Sequence, residues 1–418
     1  MGRETDCNAC GGRERELLQV QEGVRIGAPG VEVRFDVRSV LCLRCGLVFT
    51  APQPDAELLA RFYARQHREL FASALPAEGA LRIPGQGSRR DQRAWIEARL
   101  GELSGRRVLE VGCYEGFLLA LLAERGARCV GVEPCQAAAE LGRRRFGVDI
   151  RTGLLEDVAL EAGSFDLVIL SHVAEHLRDP AAALARCRAL LRAGGEIFLE
   201  VPNVLAPRAR HVVDFFTFDH LFNFSPRTLT RLGERAGFEV LEVDADFPFP
   251  AFRWLARAVE RRPGAEEALR GDPVAVEECR RAARGYAADR RRFLDALRAR
   301  LAPQLDDWTA RGARIALYGA GAHTEHLLAE TELARAKIAA VLDGDPAKQG
   351  GLCRGYPVLA PEALPGLAVE AVVISSYDFQ SEMAEAVLKL CSPPPTVVTL
   401  YDRVEAFSSW RGDRAGLP

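Results

Sequence analysis

The sequence predicts an α/β protein with two doubly wound parallel sheets and a small cysteine-rich module at the N-terminal side. From about residue 107 to 243, short strands rich in valine, isoleucine and leucine alternate with helix-like segments, which is typical of a parallel sheet covered by helices. The alternation returns from residue 313 in a shorter unit. Four of the 11 cysteines form two tight pairs near the N-terminus. A chain of 418 residues is long enough for about two to four domains.

The N-terminal module holds four cysteines in two C-x-x-C pairs: Cys7, Cys10, Cys42 and Cys45. Four thiolates at this spacing predict a tetrahedral zinc site, and Gly11 and Gly46 follow the pairs where the backbone must turn tightly. The alternative is four unrelated buried cysteines. Because four thiolates leave zinc no open coordination position, we expect a structural ion. We assign this zinc-binding module, called the cysteine module below, to residues 1–75.

The next domain is predicted at residues 86–248. A loosened stretch, GALRIPGQGS, places its boundary near Gly85, and RRDQRAWIEARLGEL then has the pattern of an amphipathic helix. The segments RRVLEVG, ARCVGVEP, FDLVILSH and GEIFLEVP predict the strands of its parallel sheet.

Residues 249–310 are predicted as a helical connector. They are rich in alanine, arginine, leucine and glutamate, and AADRRRFLDALRARL has helical spacing. Such a charge run is usually a solvated face. The segments RIALYGAGAHTEHLL, IAAVLDGDP and VEAVVISSY then predict the second doubly wound domain at 311–410.

Composition and charge narrow the classes of function. The formal charge of −3 gives no broad basic field, which disfavours a nucleic-acid partner. No apolar run approaches the roughly 18 residues of a membrane span, and the first residues, MGRETDC, are charged. The cysteines outside the two pairs are scattered singly, which fits a reducing compartment. We expect a cytoplasmic protein with a small-molecule substrate and favour a monomer.

A glycine-rich turn carries the first functional signal. The stretch VLEVGCYEGFLLALLAERG predicts a strand, a turn containing Gly112 and Gly116, and a helix whose first N–H groups can face a ligand. Glu133 ends the next strand, where a carboxylate can accept both hydroxyls of an adenosine ribose. A dinucleotide site would need G-x-G-x-x-G, and Glu110 beside the turn would repel a pyrophosphate. The pattern favours a cationic nucleoside.

These motifs resemble the class I S-adenosylmethionine-dependent methyltransferases, in which E-x-G-x-x-x-G, the acidic ribose ligand, FDLVILSHVAEHLRDP and RAGGEIFLEVPN stand in this order. The resemblance implies a Rossmann-like core with S-adenosylmethionine as cofactor. It implies that Glu110 and the backbone from Gly112 to Gly116 hold the methionine part, and that Glu133 holds the ribose. It also implies three residues that border the adenine and two that close the site: Leu154, Leu155, Glu156, Ser171 and His172. The alternative is a merely structural Rossmann-like domain.

The whole architecture resembles the sugar C-methyltransferases, since the C-terminal stretches LYGAGAHTEHLL, VLDGDPAKQG and GYPVLAPEAL are similar to that family's third domain. The resemblance implies methyl transfer to the carbon beside the ketone of a nucleotide-linked 4-keto-deoxysugar. It also implies a base in DFFTFDHLFNFS, the phenylalanine-rich segment at residues 214–225. Asp219 and His220 occupy the family's acid-histidine positions, with His220 as the base, while Thr217 stands where the family has a tyrosine.

The base assignment has its own physical argument. Neutral imidazole has a reference pKa of about 6.5, and apolar walls favour the neutral form by desolvation. The alternative for His220 is a histidine merely hydrogen-bonded inside an aromatic cluster. Glu175 and His176 follow the carboxyl end of a strand, and we interpret them as site-shaping residues, with catalysis by His176 as the alternative. The predicted substrate contacts are Tyr63, Glu175, Asn203, Thr217 and Asn223.

The C-terminal GAGAHT is a broken dinucleotide fingerprint, because Thr324 occupies the third glycine position although Asp343 follows at a suitable distance. We therefore predict that this domain holds the nucleotide or sugar, or packs on the core, rather than binding NAD. Three other functions stay open. They are an O-methyltransferase for a glycan or secondary metabolite, an rRNA methyltransferase that uses the cysteine module to bind RNA, and an inactive scaffold.

Overall fold

The computed structural model describes residues 6–26, 33–61, 86–207, 213–246, 250–260, 271–346, 348–377 and 379–401. Its strands are β1 (Arg15–Ile26), β2 (Val33–Cys42), β3 (Val48–Thr50), β4 (Arg107–Val111), β5 (Arg128–Glu133), β6 (Asp149–Thr152), β7 (Phe165–Ser171), β8 (Leu191–Pro202), β9 (Phe222–Asn223), β10 (Phe238–Asp244), β11 (Ala251–Ala258), β12 (Arg314–Tyr318), β13 (Lys337–Leu342), β14 (Leu352–Cys353), β15 (Tyr356–Leu359), β16 (Ala371–Ile374) and β17 (Thr396–Thr399). Its α-helices are α1 (Ala56–Arg61), α2 (Gln86–Leu100), α3 (Phe117–Ala123), α4 (Gln136–Phe146), α5 (Pro180–Leu190), α6 (Pro226–Arg235), α7 (Pro273–Arg311), α8 (Ala322–Glu330) and α9 (Gln380–Leu390). Tyr63 and the boundary expected near Gly85 lie outside the described residues.

The central sheet has seven strands in the order β10-β11-β8-β7-β4-β5-β6. Strands β4 to β8 run parallel, while β11 and β10 are antiparallel to their neighbours. The inner strands β4 and β7 are buried on both faces, which accounts for their nearly continuous apolar sequence. The sheet confirms the predicted α/β class with a Rossmann-like core.

The order of the strands locates the ligand crevice. β4 pairs with β5 on one side and with β7 on the other. The connections from β4 and β7 therefore leave in opposite directions, and a crevice opens at the carboxyl ends of these strands. The glycine-rich turn and Glu133 follow β4 and β5 at this edge.

One strand lies inside the stretch expected to be a helical connector. β11 pairs with β8 and extends the sheet to Ala258, ten residues beyond the end at 248 that the sequence predicts. Arg253 interrupts the apolar pattern of this strand, which hides its strand character in the sequence. The side chains of Phe252 and Trp254 are fully buried, so their burial outweighs the helical composition of the neighbouring residues.

The cysteine module is continuous with the central domain. Its antiparallel sheet has the order β1-β2-β3-β9, and β9 belongs to the phenylalanine-rich segment. In this pairing Asn223 lies opposite Val48 and Phe222 opposite Phe49. A single hydrophobic core contains Phe49 and Phe222 together with Leu199 of β8. The module and the segment therefore form one packed unit.

The C-terminal sheet has the order β14-β15-β13-β12-β16-β17 and is parallel except for β14. The 39-residue helix α7 joins this domain to the cysteine module. Its first half packs Cys279 and Tyr286 against the module, and its second half packs Leu301 and Trp308 into the C-terminal core. Among the described helices, α7 included, none combines the length and hydropathy needed to cross a membrane.

Candidate active site

The turn after β4 has a backbone shape that requires glycine. Gly112 and Gly116 have φ angles of 65° and 72°, and Tyr114 between them has a φ of 52°. A Cβ atom at residue 112 would lie 2.4 Å from Cγ2 of Val173, which leaves no room for a side chain. The turn therefore packs closely against the residues that follow β7.

Glu133 ties this turn to the end of β5. Its buried carboxylate accepts hydrogen bonds from the backbone N–H groups of Tyr114 and Cys135, each at 2.8 Å and each on a different oxygen. Burial raises the pKa of Glu133, and the two donors oppose the rise. Each oxygen keeps a second lone pair. The arrangement suits the pair of ribose hydroxyls expected at this position.

Glu110 presents a different environment at the same edge. Its carboxylate is buried, and within the described part of the chain neither oxygen has a hydrogen-bond partner. Nη1 of Arg89, a residue that the motifs did not predict, lies 3.7 Å from Oε1. Burial raises the pKa of Glu110 to about 7. A buried carboxylate without partners is costly, so this position suits a ligand that brings an ammonium group.

The loop after β6 carries the three residues expected to border the adenine. The backbone N–H of Gly153 donates to the carbonyl of Glu133 at 3.0 Å, which places the loop beside the ribose position. Leu155 is buried in the core, whereas Leu154 and Glu156 are exposed. Leu154 and Glu156 are therefore accessible to a planar ligand, while Leu155 shapes the floor beneath them.

A buried polar network lies behind Ser171 and His172 at the end of β7. Glu200 of β8 accepts hydrogen bonds from Nε of Arg253 and from Nε2 of Gln92, both at 2.7 Å. Gln92 also donates to Oγ of Ser171 at 2.7 Å. The motifs did not predict Gln92, Glu200 or Arg253. The only signal in the sequence is a single charged residue inside each of two apolar runs, GEIFLEVP and AFRWLARA.

His172 bridges two buried carboxylates. Its Nδ1 lies 3.3 Å from Oε1 of Glu175, and its Nε2 lies 3.2 Å from Oε1 of Glu200. Burial alone would lower the pKa of His172, but the two carboxylates raise it to about 9. The same contacts, together with Arg253, hold the pKa of Glu200 at about 2. The residue also has a φ of 54°, a conformation that few side chains adopt.

We expect the stabilising effect of His172 to disappear in alkaline solution. Its folded pKa, about 9, exceeds the unfolded value of 6.5, so the contribution is complete below pH 6.5 and is lost as the pH rises through 9. Urea unfolding of the native protein and of His172→Gln should differ by about 2 kcal/mol at pH 6, the scale of a hydrogen bond to a charged group. The difference should shrink by pH 10. A difference that stays constant with pH would contradict the assigned charge.

Glu175, His176, Asp219 and His220 form a second cluster beside this network. The imidazole rings of His176 and His220 meet edge to face with centroids 4.9 Å apart. Nδ1 of His176 lies 3.0 Å from the carbonyl oxygen of Asp219 and 3.5 Å from its carboxylate. Asp219 was expected to pair with His220, but the printed contacts of its side chain are with His176. The segment turns at this point, so adjacent side chains do not face the same partner.

His220 carries the weaker base strength expected of a buried imidazole. Burial lowers its pKa and the neighbouring His176 lowers it further, against the opposing carboxylates of Asp219 and Glu175. Its Nδ1 is buried, with no hydrogen-bond partner among the residues that the structure describes. Glu175, His176 and His220 bring possible ligand atoms within 4.8 Å of one another. Since Glu175 already faces the charged ring of His172, we assign no metal ion to this cluster.

Further polar atoms without partners line the phenylalanine-rich segment. Oγ1 of Thr217 and both amide atoms of Asn223 are buried and make no hydrogen bond to any described residue. Asn203 differs, because its side-chain oxygen accepts from the N–H of Leu205 at 3.0 Å and closes its own turn. Unsatisfied buried groups cost about 1 to 3 kcal/mol each, so Thr217 and Asn223 favour a polar ligand at this place.

The phenylalanines of the segment pack away from this cluster. Phe218 meets Phe35 of the cysteine module edge to face at 5.5 Å, and Phe222 stacks between Phe49 and Phe224 at 6.3 Å from each. These rings anchor the segment on the module. The backbone between them is left to present His220 at the crevice.

The four cysteines of the module form a compact buried cluster. The Sγ atoms of Cys7 and Cys45 lie 3.5 Å apart, as do those of Cys10 and Cys42, and all four lie within 4.8 Å of one another. Zinc–sulfur bonds of about 2.3 Å in a tetrahedron place sulfur atoms about 3.8 Å apart. The donor set and spacing therefore fit the predicted zinc ion. Gly46 packs its Cα against Ala275 of α7, where a side chain would clash.

Comparison with known proteins agrees with this geometry. A methyltransferase domain model matches residues 64–243, and a C-methyltransferase C-terminal domain model matches residues 280–392. A protein of Mycolicibacterium smegmatis named "Probable S-adenosylmethionine-dependent methyltransferase" is 35% identical over 176 residues, which are 40% of this chain and 67% of that protein.

More distant matches have the same chemistry in their names. The ubiquinone biosynthesis O-methyltransferase of Acinetobacter baumannii strain ACICU is 34% identical over 26% of this chain, and the match spans about half, 49%, of that protein. A solved S-adenosylmethionine-dependent methyltransferase from Mesorhizobium loti is 18% identical with a TM-score of 0.35, over 39% of this chain and 96% of its own. By its matched domains and by the identity and coverage of the Mycolicibacterium relative, the chain belongs to the S-adenosylmethionine-dependent methyltransferases.

Proposed function

We propose that this methyltransferase places a methyl group on the carbon beside the ketone of a nucleotide-linked 4-keto-deoxysugar. The observation that carries the proposal is His220, a neutral imidazole whose buried Nδ1 has no partner among the described residues, at the carboxyl edge of the sheet. The matched C-methyltransferase C-terminal domain supports carbon as the acceptor atom.

In this proposal His220 removes the proton from the carbon beside the ketone. The electron pair of that C–H bond then forms the new bond to the methyl carbon, and the proton stays on His220 until solvent accepts it. When bound, S-adenosylmethionine supplies the methyl group from its sulfonium. Glu110 holds the ammonium of the cofactor and Glu133 its ribose hydroxyls. Positioning of this kind can supply much of the rate.

The ketone oxygen gathers negative charge as the proton leaves, and donors must face it. The family's tyrosine is absent, since Thr217 occupies its place. We propose that the hydroxyl of Thr217 and the amide of Asn223 donate hydrogen bonds to this oxygen. Both groups are buried, and neither has a partner in the described structure, which supports this role.

The C-terminal domain is the proposed holder of the nucleotide. Asp343, at the end of β13, accepts hydrogen bonds from the N–H groups of Ala320 at 2.7 Å and Asp345 at 2.8 Å. Glu133 has the same pattern, with one donor in the preceding glycine turn and one two residues onward. Thr324 is fully buried and bonded to Gly319 and Ser375, which fills the space of the missing third glycine. This parallel supports a ribose at Asp343 rather than NAD.

The cysteine module is the proposed zinc site, with Cys7, Cys10, Cys42 and Cys45 as ligands. A zinc ion with four thiolates has no vacant position and supplies folding energy. We therefore assign it no part in methyl transfer.

O-methylation is the second candidate. The missing tyrosine favours it, since a hydroxyl acceptor forms no enolate, and His220 would then deprotonate an oxygen. The curated relative from Acinetobacter is named as an O-methyltransferase.

We expect Glu133→Ala to weaken S-adenosylmethionine binding by about 10- to 100-fold, the effect of losing a hydrogen bond to a charged acceptor. Calorimetric titration of the protein with S-adenosylmethionine measures this change directly. Glu140→Gln, on α4 and bonded only to Gln136 in the described contacts, is the matched control and should keep the native affinity. Equal affinity of Glu133→Ala and Glu140→Gln would remove the ribose assignment.

The function is tested with S-adenosylmethionine that carries a ¹³C methyl group. The protein is incubated with nucleotide-linked 4-keto-deoxysugars and with their 4-hydroxy counterparts, and products are read by mass spectrometry and NMR. A carbon-bound label on the keto sugars alone is the expected result. An oxygen-bound label would support the second candidate. No label on any acceptor, while the cofactor still binds, would overturn the sugar assignment.

A further inference from the structure

Asp214, the first residue of the phenylalanine-rich segment, has a carboxylate whose four hydrogen-bond acceptor positions are all used. Oδ1 accepts from the N–H of Phe216 at 3.0 Å and from the hydroxyl of Tyr286 at 2.9 Å. Oδ2 accepts from Nε2 of Gln19 at 2.7 Å and lies 3.0 Å from Nε of Arg290. The carboxylate is buried, so these donors replace all of its water.

The donors come from three parts of the chain that are far apart in sequence. Gln19 belongs to β1 of the cysteine module, Tyr286 and Arg290 to α7, and Phe216 to the segment itself. Other bonds fix the same backbone, because the N–H of Phe215 donates to the Tyr286 hydroxyl at 2.7 Å and Gln21 donates to the carbonyl of Phe216. The start of the segment is therefore held in one geometry.

Arg290 extends this contact into the C-terminal domain. Its guanidinium is buried, with Nε on Asp214 and Nη2 3.1 Å from Oε1 of Glu330 at the end of α8. Arg298, two turns further along α7, donates to the backbone carbonyl of Glu330 at 2.8 Å. Val213 packs against the core of the same domain. A single planar cation thus joins the segment to the domain proposed to hold the nucleotide.

We propose that Asp214 is a positioning residue that sets the geometry of Thr217, Asp219 and His220, and that Arg290 and Glu330 couple this geometry to the C-terminal domain. The paired guanidinium has two fixed N–H directions, so a shift of Glu330 moves the donor that Asp214 receives. The consequence for methyl transfer rests on the proposed function, whereas the coupling itself is independent of it.

Hydrogen exchange measured by mass spectrometry tests the coupling without any acceptor. Glu330→Gln removes the charge that Arg290 meets outside the segment, at a half-buried position remote from the cofactor crevice. The peptide spanning residues 213–221 should exchange about tenfold faster than in the native protein, as expected for local opening of a weakened contact. The peptide spanning residues 107–133 should be unchanged. Glu332→Gln, exposed and paired only with Arg335 among the described ion pairs, is the matched control.

Two results would overturn the coupling. One is unchanged exchange at residues 213–221 in both Glu330→Gln and Arg290→Gln. The other is a uniform increase across the central sheet, which would indicate global destabilisation only. Arg290→Lys keeps the charge but reaches one carboxylate at a time, so it should fall between the native protein and Arg290→Gln.

The positioning role has its own measurement. In Asp214→Asn the affinity and stoichiometry of S-adenosylmethionine should stay within about twofold of native, because the crevice residues are not touched. The NMR titration midpoint of the ¹³C-labelled His220 ring, assigned with His220→Gln, should move from its native value. If turnover is found, kcat should fall at least tenfold. An unchanged His220 midpoint, or a loss of cofactor stoichiometry, would make Asp214 a structural residue. Absence of turnover in the native protein would count against the proposed function alone.

Discussion

Removal of the metal from the cysteine module is expected to unfold it and to release the phenylalanine-rich segment from its place beside the crevice. The apparent binding energy of zinc in small zinc modules is about 10 to 16 kcal/mol. A hydrophobic core of this size supplies only roughly 3 to 5 kcal/mol by itself. The module shares its sheet with β9 and its core with Phe222, so its loss removes the partner of that strand. Cofactor binding should persist, because the glycine-rich turn and Glu133 belong to the central sheet.

The measurement combines metal analysis with hydrogen exchange. The protein as purified should contain one equivalent of zinc, and a strong chelator should deprotect residues 33–50 and 213–225 together. Cys42→Ser should have the same effect without chelator. Cys391→Ser, at a half-buried position in the C-terminal domain, is the matched control and should keep its zinc. A metal-free protein with a protected N-terminal sheet would show that the zinc assignment is wrong.

The predictability of the site follows the distance in sequence between its parts. Gly112, Gly116 and Glu133 lie on two consecutive strands, and local spacing alone was enough to indicate that they meet. The partners of Glu200 lie on α2 and β11, at separations of 108 and 53 residues. No local pattern reveals such a pairing, and only the fold brings Arg253 to this carboxylate.

The phenylalanine-rich segment shows the same limit within 12 residues. Its composition indicated a buried place for His220, and burial of the surrounding rings agrees with that. The orientation of Asp219 towards His176 depends on a turn that the alternation of side chains does not encode. Asp214 gave no signal in the sequence, because its donors come from β1 and α7. Cores are thus easier to predict than the polar contacts that cross between domains.

Replacement of His220 by glutamine is expected to abolish methyl transfer while cofactor binding is retained. A positioned general base contributes about 100- to 10,000-fold to a rate, and glutamine keeps the size of the side chain without the basic nitrogen. The cofactor should bind normally, because Glu110 and Glu133 are unchanged. His326→Gln, the same substitution on α8, is the matched control and should keep full activity.

The pH dependence of kcat/KM gives this prediction its sign. His220 must be neutral to accept a proton, and burial places its pKa below 6.5, although Asp219 and Glu175 oppose that shift while His176 and His172 reinforce it. The rate should therefore be constant near pH 7 and should fall with unit slope at acid pH, with a midpoint below 6.5. His176→Gln removes a neighbouring imidazole and should move this midpoint upwards. A profile centred near pH 9 would instead follow His172, whose pKa is raised to about 9.

A cofactor-free assay separates proton removal from methyl transfer. In D₂O, the native protein should exchange the hydrogen on the carbon beside the ketone of a 4-keto sugar for deuterium, since His220 alone breaks that bond. His220→Gln should leave this exchange at the rate of the uncatalysed sugar. If the variant exchanges as fast as the native protein, another group is the base, and His176, whose ring lies 4.9 Å away, becomes the residue to replace. If neither exchanges but a hydroxyl is methylated, His220 acts on oxygen, and the absence of the tyrosine at Thr217 is explained.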